Sequence, residues 1–116
     1  MSRTKTYCQT LVASGARTAT GASYGEQVAA DFDEVCIYTD VTAASGTTPT
    51  LQIVLQSSPD GVQWFTHSAG ATLNSVSQEL IKAENIGQYT RIAWVIGGTT
   101  PSFTFSVKAT FKKRGF

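Results

Sequence analysis

Charge is scarce in this sequence. Asp, Glu, Lys and Arg make up 15% of its 116 residues, against roughly 25% in an ordinary soluble domain, and the formal net charge is only +1. Such a chain has no global field to draw it to nucleic acid or to an anionic membrane, each of which attracts a strongly basic face. Neither is an expected partner. No window approaches the roughly 18 to 20 apolar residues that span a bilayer, and residues 1–20 hold no apolar run long enough for a signal-peptide core. The expectation is a chain made in the cytoplasm.

Histidine and cysteine are almost absent as well. His67 is the single histidine; it follows Trp64 and Phe65 with no acid close in sequence, so a Ser-His-Asp triad would need assembly by long-range folding alone. Cys8 and Cys36, the two cysteines, lack the paired spacing of a zinc site. They read as buried free thiols, or as a disulfide if the compartment is oxidising. The run Asp31-Phe32-Asp33-Glu34 carries carboxylates without the Gly-punctuated spacing of a calcium loop. Gly21 and Gly97-Gly98 do not open a helix as a phosphate-cradling loop must. No enzyme, metal or cofactor is expected.

What the chain does have is hydroxyls and a period of two. Phe103, Phe105, Val107, Ala109 and Phe111 alternate with Ser102, Thr104, Ser106, Lys108, Thr110 and Lys112, the pattern of a strand with one face buried. Val35, Ile37 and Thr39 alternate with Cys36, Tyr38 and Asp40; Leu51, Ile53 and Leu55 alternate with Gln52, Val54 and Gln56. Ile92, Trp94 and Ile96 form a further stripe. Weaker strands are expected at 4–12, 27–30 and 76–81, about eight in all. Ser58-Pro59-Asp60-Gly61 is a turn signal, Pro59 pre-setting its φ and Gly61 accepting a positive one, so residues 51–67 read as a hairpin. Gly-Thr-Thr-Pro occurs twice, at 46–49 and 98–101, and each copy reads as closing a hairpin. The predicted fold is a single all-β domain over 1–116, an antiparallel two-sheet β-sandwich of jelly-roll-like topology.

The hairpin Gln56-Ser57-Ser58-Pro59-Asp60-Gly61-Val62-Gln63-Trp64, with residues 89–95 and 97–107, resembles small β-sandwich virion proteins of tailed bacteriophages. The resemblance covers roughly residues 33–110. It implies a structural protein of the virion: a capsid decoration (cement) protein, or a head-tail connector or tail accessory protein. The implied partners are the major capsid protein or other virion proteins, with a homo-oligomer on the particle. The same hairpin is similar to one in discoidin-like jelly rolls, which implies carbohydrate binding as the alternative.

Candidate contact residues follow from position. Arg3, Lys5, Lys112, Lys113 and Arg114 make the two ends basic, and with Phe116 they are expected to fray unless a partner holds them. Trp64 and Phe65 are adjacent and must point to opposite faces, so one is a contact candidate; Phe65 is assigned to protein contact. For a sugar, Tyr24 and Trp64 would supply stacking rings, and Asp60 and Asn74 the polar groups.

Overall fold

The structure, a computed structural model, describes residues 3–23, 34–84 and 89–115. Six strands account for nearly all of them: β1 (Arg3–Arg17), β2 (Gly21–Ala22), β3 (Glu34–Ser58), β4 (Phe65–Leu73), β5 (Ser77–Glu84) and β6 (Tyr89–Gly115). Every pairing is antiparallel. The strand expected at 27–30 lies outside the described residues.

Two strands organise the rest. β3 and β6 run against each other along almost their whole length, from Glu34 opposite Lys112 to Ser58 opposite Tyr89. Residues 34–41 of β3 also pair with β5, while 51–57 pair with β4. Residues 103–115 of β6 pair with β1, and Ala93 and Trp94 with β2. One half of the molecule therefore has the lateral order β1, β6, β3, β5, and the other the order β2, β6, β3, β4.

The Gly-Thr-Thr-Pro copies sit where these halves join, and they do not close hairpins. The arms flanking each copy pair with the other long strand, so each tetrapeptide bends a strand that continues beyond it. The cause is local backbone geometry. Gly46 and Gly98 have φ of 114° and 111°, and Thr48 and Thr100 have φ of 48° and 44°, a left-handed conformation that β-branched residues resist. Each of these threonines donates its hydroxyl to the preceding carbonyl, Thr48 to Thr47 and Thr100 to Thr99, both at 2.8 Å. With Thr47 opposite Thr99, the two corners abut. A Cβ on Gly46 would lie 2.7 Å from the Thr100 carbonyl oxygen, and one on Gly98 2.7 Å from that of Thr48. Only glycine allows so close an approach at both places.

Folding the ladder at these corners brings its two inner faces onto one core, giving the expected β-sandwich. Val35, Ile37, Val41, Phe103, Phe105, Val107, Ala109 and Phe111 from one half meet Leu51, Ile53, Leu55 and Ile92 from the other, all buried. Each large side chain so buried contributes about 1.5 to 3 kcal/mol relative to exposure. These are the positions that the period of two placed inward. Val54, on the second face of its strand, is also largely covered, because β3 has a neighbour on either side throughout this stretch.

Arg17 closes one margin of the core. Its guanidinium lies over both Trp94 and Phe105, 5.0 and 4.9 Å from the ring centroids, and donates to the carbonyls of Ala13, Gly15 and Phe105. Trp94 and Phe105, from opposite halves, meet edge to face at 5.7 Å. A cation between two aromatic faces gains from both ring quadrupoles while its N–H groups satisfy carbonyls of the irregular end of β1.

Candidate protein-contact site

The outer face of the β1, β6, β3, β5 half spans four strands. Because side chains alternate, the residues rejected by the core form rows across four strands. One row runs Thr10, Lys108, Tyr38, Leu80; the next Cys8, Thr110, Cys36, Lys82; a third Lys112, Glu34, Glu84. Most of these positions are hydroxyl or charged. Tyr38 and Leu80 break the pattern: they are directly opposed across β3 and β5, and they are 46% and 50% exposed. They line a shallow cavity of about 460 Å³ with Asp40, Gln78, Ser106 and Lys108. An aromatic ring and an aliphatic side chain, ringed by hydroxyls, an amide and charges of both signs, form the arrangement in which contact energy concentrates at protein interfaces. The sequence pattern puts Tyr38 on the face opposite Ile37 without assigning either face to solvent, and it does not single out Leu80. Their adjacency depends on the β3–β5 register.

The basic ends take a form different from the fraying tails expected of them. Arg3 pairs with Gly115, Thr4 with Arg114, Lys5 with Lys113 and Thr6 with Lys112, so the two termini are rungs of one ladder. β3 begins at Glu34 opposite Lys112, and beyond that point β6 has β1 as its ladder partner among the described residues. Four cationic residues, Arg3, Lys5, Lys113 and Arg114, thus share a two-stranded ribbon at one end of the sheet. Phe116 lies outside the described residues.

Of the sugar-binding candidates, Trp64 and Asn74 lie at opposite ends of β4. Trp64 precedes β4 and Asn74 follows it; nine strand residues separate them, about 30 Å at the usual rise per residue. One face of the Trp64 ring carries the Arg91 guanidinium, 4.5 Å from the centroid, and Arg91 is held there by its Nε donating to Gln56 Oε1 at 2.7 Å. Asp60 is committed to its own turn. Its Oδ1 accepts from the backbone N–H groups of Val62 and Gln63 and from the Ser58 hydroxyl, and these bonds, Gln63 first, hold its carboxyl below the ordinary value. Ser58 Oγ in turn accepts from the N–H groups of Asp60 and Gly61. Tyr24 lies outside the described residues. Phe65, the protein-contact candidate, is 52% exposed.

His67 joins strands. Its Nε2 lies 2.8 Å from the Glu84 carbonyl oxygen and so carries the proton, which leaves Nδ1 to accept from the Ser57 hydroxyl at 3.4 Å. The ring ties β4 to β3 and β5. Cys8 and Cys36 are free thiols, but Cys8 is exposed and Cys36 half-buried, contrary to the expectation of burial. Both lie in outward-facing positions opposite Thr110.

No protein-family model matches this chain, and no curated protein does. Solved structures do match in fold. The crystal structure of the PBSX exported protein XepA is similar with a TM-score of 0.68 at 13% identity, over 90% of this chain and 36% of XepA. The SPBc2 prophage-derived protein YomS is similar with a TM-score of 0.58 at 11% identity, over 96% of both chains. The fold is one that phage-derived proteins use. A chain in the structure of infectious bursal disease virus, Gt strain, shares it too, with a TM-score of 0.59 at 12% identity over 96% of this chain and 33% of the viral one. This chain thus spans about a third of XepA and of the viral chain and nearly all of YomS.

Proposed function

We propose that this chain is a non-enzymatic structural protein of a tailed-phage virion, and specifically a capsid decoration protein that binds the shell through protein-protein contacts. The observation that carries the reading is the outward Tyr38–Leu80 pair on a broad four-strand face otherwise populated by hydroxyls and balanced charge. Such a face offers apolar anchors for another protein surface and no strong field of one sign to repel neighbouring copies. The sharing of this sandwich by phage-derived and viral proteins supports the same reading. The proposed partner is the major capsid protein, with the chain present as a homo-oligomer on the particle; the basic ribbon of Arg3, Lys5, Lys113 and Arg114 is proposed as a second contact.

The experiment is rebinding of the purified chain to particles lacking it, with stoichiometry measured. Tyr38→Ser and Leu80→Ser remove exposed apolar surface and should change stability by no more than about 0.5 kcal/mol. Attachment should weaken at least about tenfold if the pair anchors the contact, the equivalent of roughly 1.4 kcal/mol. Full attachment of both variants would remove this face from the function. A glycan array run beside it tests the carbohydrate alternative: sugar binding lost in Trp64→Ala, with attachment intact, would replace the proposal.

A further inference from the structure

We propose that β1 is the strand edge through which two copies of this chain pair, antiparallel about a two-fold axis at Cys8. The inference rests on the homo-oligomeric part of the reading above and names its surface. Among the described residues the β1, β6, β3, β5 half has two lateral edges, and they differ. At β5 the neighbouring strand β4 supplies cover: the His67 ring binds the Glu84 carbonyl at 2.8 Å, and Glu79 Oε2 accepts the Ala71 N–H at 2.8 Å. At β1 the far end is capped, Arg17 donating to the carbonyls of Ala13 and Gly15. From Arg3 to Thr10, however, β1 runs eight regular rungs against β6, its one ladder partner among the described residues, and the first irregularity comes after Thr10. That stretch has no proline, the residue most often used to spoil an edge, and a single lysine within residues 4–10.

An antiparallel pairing centred on residue 8 opposes positions whose numbers sum to sixteen. Thr6 then meets Thr10, Tyr7 meets Gln9, Lys5 meets Leu11 and Cys8 meets its own copy. No two like charges are opposed, and two Thr–Thr rungs flank the axis, a favourable cross-strand pair. A second copy pairs the two β1 edges with each other, because a two-fold contact is isologous and closes on itself. Two four-strand faces would become one continuous eight-strand face.

Cys8 supplies the readout. It is exposed and free, and directly opposed residues of antiparallel strands lie about 4.5 to 5.5 Å apart at Cα, within disulfide range. Light scattering on the purified chain should give a dimer, and mild oxidation should convert it to a covalent dimer in wild type and in Cys36→Ser but not in Cys8→Ser. Thr6→Lys with Thr10→Lys opposes lysines across the axis and should raise the dimer dissociation constant at least about tenfold while leaving the β-rich circular dichroism spectrum of the folded chain unchanged. A monomer in light scattering, a dimer that survives the double lysine variant, or a cross-link through Cys36 overturns the proposal. Particle attachment of the lysine variant is measured separately, so that loss of the dimer and loss of shell binding are told apart.

Discussion

Gly46→Ala and Gly98→Ala should each destabilise the fold through a methyl group that touches no core residue. Two costs add at either site. At a φ of 114° or 111°, an L side chain is strained by about 1 to 2 kcal/mol. The new Cβ also lands on backbone: at residue 46 it lies 2.7 Å from the Thr100 carbonyl oxygen and 2.9 Å from Pro101 Cα, and at residue 98 it lies 2.7 Å from the Thr48 carbonyl oxygen and 2.9 Å from Pro49 Cα. Backbone cannot swing aside as a side chain can, so the corner must shift by several tenths of an ångström, at about 1 to 2 kcal/mol more. The expected loss is about 2 to 4 kcal/mol for either variant by urea denaturation, a fall in melting temperature on the order of 10 °C. Gly15→Ala is the control. Its Cβ would meet only Arg17 Nη1, at 3.7 Å, and the change should stay within about 0.5 kcal/mol. Because each methyl pushes on the opposite corner, displacing one relieves the other, and the double variant should fall short of additivity by about 1 kcal/mol. Single losses under about 1 kcal/mol, or strict additivity of two large ones, would show that the corners do not abut and that the bend has another cause.

The remaining predictions test the core and the turn. Phe105→Ala should cost about 3 to 5 kcal/mol, since the ring is fully buried and carries both Trp94 and Arg17; a loss under about 1 kcal/mol by the same denaturation would remove it from the core. Asp60 has a folded pKa below its unfolded one, so its contribution is complete above the unfolded value and is lost as pH falls through the folded one. Asp60→Asn should therefore be less stable than wild type at neutral pH, and the gap between the two melting temperatures should close on acidification. A gap that is constant or widens in acid would contradict the hydrogen bonding assigned to this carboxylate.

The sequence made the strands legible and left their partners open. Alternation is a local property, and it set Phe103, Phe105 and Phe111 inward because along that stretch each hydrophobic position is separated by one polar residue from the next. Gly-Thr-Thr-Pro is also local, and there the reading failed: glycine and proline signal a change of direction, but whether a strand reverses or only bends depends on what pairs with its two arms. Here both arms of β3 find β6, distant in sequence, so two strands bend at these corners without ending. The same distinction separates what could and could not be read of the contact surface. An outward Tyr38 follows from an inward Ile37. That Tyr38 stands beside Leu80, that Lys5 stands opposite Lys113, and that Trp64 and Asn74 stand at opposite ends of a strand are facts of register, and register is fixed only when the whole core has chosen its faces. A surface built from side chains the core rejects is thus the last part of this protein that its sequence discloses, because its neighbours across strands are set by the register that the buried residues choose.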